Sequence, residues 1–234
     1  MHQGKFFVFE GIDGSGLTTQ SALLKKWCEK QGFVVFLTKE PTDGPIGSQI
    51  RLVLNKRLTM SPTALALAFA ADRMDHLEAE IIPKVRGGVI VISDRYYLSS
   101  YAYQSFNVDL KWLMQVHSKC LRPDVIFLLD VPALICKRRM EKMRWHVELY
   151  EELEKLEKVR RRFLELAEEL KKNGENIKII DGNRPVNEVH ADIKAIVIRT
   201  LKRKKREILI SEKAKREKGK LTDFFRSFPE VRRQ

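Results

Sequence analysis

The stretch FFVFEGIDGSGLTTQSALLKKW, residues 6–27, constrains this chain more than any other. An apolar run, a glycine-rich turn and a periodic segment follow one another. The pattern predicts a buried strand over 5–11, a tight loop, and a helix over 18–31 with Leu23, Leu24 and Trp27 on one face. Strand, glycine loop and helix in that order form the context of a phosphate-binding P-loop, G-x-x-x-x-G-K-[ST]. Gly11, Gly16 and Thr18 have the required spacing, and Leu17 stands where the pattern has lysine. Glycines in GIDGSG let successive amide N–H groups point at an anion, and a helix N-terminus adds partial positive charge. The shape of an anion cradle is kept while its usual cation is missing.

The rest of the chain repeats the alternation of strand and helix. FVVFLTKEP supplies a second strand that stops at Pro41, and a helix follows over about 46–55. SPTALALAFAADRMDHLEAEIIPKV opens with Ser61 as a cap and Pro62 at the first helical position. GGVIVISDRYY and PDVIFLLDVP are apolar runs ending in charge, which reads as strands covered on both faces. Residues 133–173 are helix-forming and charged, NIKIIDG gives a last strand, and a helix over about 186–201 closes the unit. The expected fold is α/β, a P-loop NTPase fold with a parallel sheet and helices on both faces.

Ligands of such sheets sit beyond the carboxyl ends of the strands. Three polar groups fall there: Gly11–Thr19, Lys39–Glu40 and Asp94–Arg95. Thr18 holds the position whose hydroxyl helps bind Mg2+, Asp94 can orient that metal or its waters, and Arg95 can bind phosphate oxygens. Each feature also has a plain structural reading, as a simple turn or a surface ion pair. Their convergence is what favours nucleotide chemistry.

FEGIDGSGLTTQ, KEPTDGPIG, LAFAADRMDH, SDRYYLSSYAYQ and RPDVIFLLDVP occur in the order seen in thymidylate kinases. On these motifs the chain, over about residues 5–200, resembles that family. The resemblance implies transfer of the ATP γ-phosphoryl group to thymidylate (dTMP), with Mg2+, by a homodimer. It places Gly11, Asp13, Gly14, Ser15, Gly16, Leu17, Thr18 and Thr19 at the ATP phosphates and Glu40 near the metal. Asp13 lies next to the sugar 3′-hydroxyl, Phe69 stacks on thymine, and Arg73 and Arg95 hold the acceptor phosphate. Ser100 and Gln104 line the base pocket, and Tyr103 lies near the sugar. At helical spacing Phe69 equally fits a buried core face, whereas Arg73 on the same face does not.

Two departures matter. Leu17 removes a fixed cation, a contact whose loss commonly costs about 2.7–4 kcal/mol of transition-state stabilisation. Lys39 replaces the family's usual arginine and loses its bidentate fork. CKRRMEKMRWHVELYEE lies where the family's lid belongs, about residues 134–150, and carries Lys137, Arg138, Arg139, Lys142 and Arg144. Arg139 and Arg144 are the leading replacements for the missing cation; the alternative is an ordinary solvated helix face.

The net charge of +13 is concentrated at one end, since residues 202–234 hold 13 Lys or Arg against 5 Asp or Glu. The expected organisation is a kinase-like domain over 1–201 and a basic extension over 202–234. Within the extension, KGKLTDFFRSF resembles the peptide by which replication proteins dock on the sliding clamp, through Leu221, Phe224 and Phe225. Contact with nucleic acid, a solvated tail, or packing back on the body are the other readings. Cys28, Cys120 and Cys136 have no C-x-x-C spacing, and no apolar run approaches the roughly 18 residues of a membrane span. The expectation is a soluble cytoplasmic enzyme that binds small-molecule nucleotides and no membrane. Its rivals are a weak or inactive nucleotide-binding protein that recruits a replication or nucleic-acid partner through the tail, and a kinase with a different acceptor.

Overall fold

The computed structural model describes residues 4–141 and 149–202. The chain forms two units, Met1–Ile193 and Lys194–Gln234, and the sequence-based boundary at 201 falls inside the second. Among the described residues, five parallel strands form one sheet: β1 (Lys5–Glu10), β2 (Val35–Lys39), β3 (Ile90–Asp94), β4 (Val125–Asp130) and β5 (Ile177–Asp181), in the order β2-β3-β1-β4-β5. β1 is central, pairing Phe7 with Ile92 on one side and with Val125 on the other. The strand alternation divides the core. Phe6 and Val8 join Val91, Ile126, Leu128 and Phe163 on one face, while Phe7 and Phe9 pack on Phe127 on the other. That double covering is why the strands are continuously apolar. β2 is an edge strand and only half-buried, so its segment is less shielded than its apolar sequence implies.

α1 (Leu17–Lys30) packs against β1, β2 and β3. Its buried side is Leu17, Gln20, Ser21, Leu24 and Cys28; Leu23 and Trp27 are only half-buried, which rotates the expected face. α2 (Pro45–Leu54) packs on α3 (Pro62–His76), where Ser61 Oγ accepts the Ala64 amide at 3.2 Å as the sequence predicts. α3 continues through one π-helical turn (Leu77–Ile81) into α4 (Ile82–Arg86). α5 (Tyr97–Gln104) follows β3, and α6 (Leu110–Val116) precedes β4. α7 (Ala133–Glu141) forms the first part of the segment read as a lid, and α8 (Leu149–Lys172) packs on α5, β4 and β5. A last helix, α9, runs over 186–202. Among the described residues, no helix is long and apolar enough to cross a membrane.

Candidate active site

β1 ends at Glu10, and the chain then turns through Gly11–Gly16 into α1. Two glycines fix the turn for different reasons. Gly14 has φ +81°, and a Cβ there would stand 2.5 Å from the Cys136 carbonyl oxygen of α7. Gly16, the N-cap of α1, has φ +100° with open space around it, so only its left-handed backbone demands glycine. Leu17 occupies the first helical position and is 6% exposed. Its Cδ2 lies 3.5 Å from where a Cβ on Gly11 would stand, so the side chain folds back against the loop. Ser15 is buried with no hydrogen-bond partner for its hydroxyl. Thr19 is exposed beside Thr18 on the first turn of α1.

Thr18 Oγ1 donates to Asp94 Oδ2 at 2.6 Å, joining α1 to the end of β3. Hard oxygen donors of this kind suit Mg2+, which takes one or two protein oxygens and completes its shell with phosphates and waters. Among the described residues no group of three or more His, Cys, Asp or Glu could hold a metal. Lys39 is exposed at the end of β2 and pairs with Asp43 at 3.2 Å.

Beside the loop lies a cavity of about 360 Å³. Asp13, Glu40, Phe69 and Arg73 line it, with Arg95, Ser100, Tyr103 and Gln104 from β3 and α5. All the residues assigned to the acceptor by the motif reading therefore meet in one place. Phe69 is half-buried and lines this cavity. Gln104 Oε1 is buried there without a partner, an acceptor left unused by the protein itself.

The two arginines are held differently. Arg73, 1% exposed, donates from Nε to Glu40 Oε2 at 2.6 Å and from NH1 to Ser100 Oγ at 3.0 Å. The same NH1 meets His117 Nε2. His117 Nδ1 donates to the Leu113 carbonyl at 2.8 Å, leaving Nε2 as the acceptor. Burial, with Arg73 next to it, pushes the His117 imidazole down to about 4. Glu40 is 5% exposed, and its second oxygen pairs with His76 Nδ1 at 3.2 Å; His76 Nε2 reaches Thr38 Oγ1 at 2.8 Å. Both Glu40 oxygens are thus committed to fixing α3 side chains. Arg95 has φ +73° and sits over the loop, donating to Asp13 Oδ1 at 2.6 Å, the Gly11 carbonyl at 3.0 Å and Ser99 Oγ at 3.0 Å. Burial opposes its charge, but Tyr103, Asp13 and Glu10 around it hold the guanidinium raised.

Arg139 lies on the other side of the loop. Its NH1 approaches the Ser15 carbonyl at 3.5 Å and NH2 donates to the Gly182 carbonyl at 3.1 Å. Lys142 and Arg144 of the lid segment, and Leu221, Phe224 and Phe225 of the tail, lie outside the described residues. Sequence reasoning missed Glu10, Ser99, His76 and His117. Glu10 left a signal, a lone carboxylate closing an apolar strand; the two histidines left none.

A P-loop at the head of a parallel sheet, with an arginine-walled cavity at the neighbouring strand ends, defines the class of nucleoside monophosphate kinases. The family model for thymidylate kinase matches residues 9–193. A "Probable thymidylate kinase" of Pyrococcus abyssi is 46% identical over 202 residues, 83% of this chain and 96% of that protein. Proteins of the same description from Pyrococcus horikoshii and Pyrobaculum aerophilum are 42% and 40% identical, over 96% and 98% of their lengths. The chain belongs to the thymidylate kinase family.

Proposed function

We propose that this protein transfers the γ-phosphoryl group of ATP to the 5′-phosphate of dTMP. The bond between γ-phosphorus and the bridging oxygen breaks, a bond to an acceptor phosphate oxygen forms, and dTDP and ADP leave. The observation that carries this reading is the convergence of Phe69, unpartnered Gln104 Oε1, buried Arg73 and half-buried Arg95 in one cavity beside the P-loop. Arg95, with its partners on the loop, faces the acceptor phosphate; Arg73, which the resemblance also assigns to that phosphate, is bonded to Ser100 of the base pocket and is placed here at the base end. Asp13 and Tyr103 flank the sugar. Thr18 and Asp94 would hold Mg2+, which would supply positive charge to offset that of the donor phosphates. Glu40 acts by fixing Arg73.

The atypical P-loop belongs to the same proposal. With Leu17 at the lysine position, Arg139 of α7 approaches the loop backbone at the Ser15 carbonyl, at 3.5 Å, beside the start of α1. Arg139, with Arg144 from the lid segment, supplies positive charge to the transferring group. The homodimer, a cytoplasmic location and docking of the tail on a sliding clamp or nucleic acid rest on sequence resemblance and composition. Steady-state formation of dTDP by the full chain and by Leu17→Lys, with other monophosphates alongside, tests the reading. Wild-type turnover that prefers dTMP supports it, and turnover with another acceptor moves the assignment.

The apolar Leu17 turned against the loop favours a second reading, a nucleotide-binding protein with little catalysis. Turnover by Leu17→Lys alone, with dTMP bound by both proteins, would select it.

A further inference from the structure

Glu10 closes β1 immediately before the P-loop, and the transfer chemistry above makes no use of it. Its residue is 0% exposed, a position at which a carboxylate requires partners. They are present. Oε1 accepts from the backbone amides of Tyr96 at 2.9 Å and Ser99 at 3.2 Å, and Oε2 accepts from Ser99 Oγ at 2.5 Å. Tyr96 is the N-cap of α5, so the carboxylate satisfies amides that the helix leaves open. α5 also carries Ser100, Tyr103 and Gln104 into the acceptor cavity. Ser99 Oγ in turn accepts from Arg95 NH1, whose other acceptor is the Gly11 carbonyl. A closed ring results: Glu10, Ser99, Arg95, Gly11, and back to Glu10 through one peptide bond. Asp13, the exposed partner of Arg95, has a side chain 60% open to solvent.

The geometry points to Glu10 as a positioning residue that locks the Arg95 guanidinium and the start of α5 to the P-loop, setting how tightly the cavity grips the acceptor's phosphate. This inference rests on the acceptor reading given above. Glu10 acts through Ser99 and touches no substrate. Burial pushes its carboxyl up to about 7, against the pull of Ser99 and Arg95, so the charge is only partly present near neutrality. The charged and titratable groups that face it are Arg95 after β3, Arg73 of α3 and Tyr97 of α5.

The test compares the affinity of the full chain for thymidylate and for thymidine, which lacks the phosphate, by titration calorimetry. Glu10→Gln keeps the shape and an oxygen for the two amides but removes the charge. Ser99→Ala cuts the link to Arg95 and leaves the carboxylate in place. At about pH 8 both variants should weaken thymidylate roughly tenfold and change thymidine by no more than about twofold. The wild type should also gain thymidylate affinity relative to Glu10→Gln as pH rises from about 6 to about 8, because only the wild type ionises there. Equal losses for both ligands would reduce Glu10 to a helix cap and overturn the proposal, as would unaltered thymidylate affinity in Ser99→Ala. A wild type that binds thymidine and thymidylate alike overturns it too. A wild type that binds neither removes the acceptor reading itself.

Discussion

The cavity and the P-loop sit at the ends of adjacent strands, yet they are built from different materials. The cavity has a largely apolar lining whose polar part is fixed by side-chain charge: Arg73 is buried among Glu40, Ser100 and His117, and each contact is part of a packed network. The loop is made of backbone, shaped by Gly14 and Gly16, with an apolar Leu17 where a cation is usual. Charge networks fail when one member is removed, because the partner stays buried. A backbone cradle keeps its shape when a side chain at its exit changes.

The sharpest way to break this contrast is Arg73→Ala. It strands the Glu40 carboxylate in a buried site, and losing one partner of such a pair costs about 3–5 kcal/mol of stability, to be read from urea unfolding. A loss under about 1 kcal/mol would mean that His76 holds Glu40 alone, and the network is looser than its geometry. On the loop side, replacement of the missing cation by Arg139 and Arg144 predicts that Leu17→Lys raises kcat by less than the factor of about 10²–10³, or about 2.7–4 kcal/mol, that such a loss commonly costs. An ammonium at a position where Leu17 is 6% exposed should lower stability. An unchanged kcat would show that the missing cation has been replaced from elsewhere, and double substitution with Arg139→Ala would then identify the source.

Glu10 gives a pH signature intermediate in size. Its carboxyl is raised from about 4.5 to about 7 on folding, so the folded state binds the extra proton. Its contribution to stability is complete below the unfolded value and is lost as pH rises through about 7. Unfolding free energy of the wild type should therefore fall relative to Glu10→Gln, by up to about 3 kcal/mol between about pH 5 and about pH 8. Parallel pH profiles would mean that the carboxyl is not raised. The smallest effect is expected from Ser61→Ala. Loss of this cap on α3, which carries Phe69 and Arg73, should cost about 1 kcal/mol in melting experiments and leave Leu17→Lys kinetics alone.

The P-loop, the strand and helix alternation and the cap at Ser61 could be read from the chain because each is local: a few neighbouring residues carry the whole signal. That Asp13, Phe69 and Gln104 line one cavity was legible only through motif order, since they come together in space and not in sequence. His117 and His76 were invisible. Their roles depend on Leu113, Arg73 and Thr38, partners that no spacing in the sequence marks. The rotated face of α1 was missed for a related reason. Gln20 and Ser21 face inward through bonds to Val186 and Thr18, so the buried side is partly polar.

The contact of Gly14 with α7 has a consequence for how the sequence can drift. A methyl at Gly14 would run into the Cys136 carbonyl, so this position is closed to every other residue by its neighbour alone. The site of Leu17 has no such guard, because what it lacks is a reagent and not a spacer. Inheritance can therefore exchange the reactive group while the mould around it is copied unchanged, and a loop of this kind records its ancestry more faithfully than its rate.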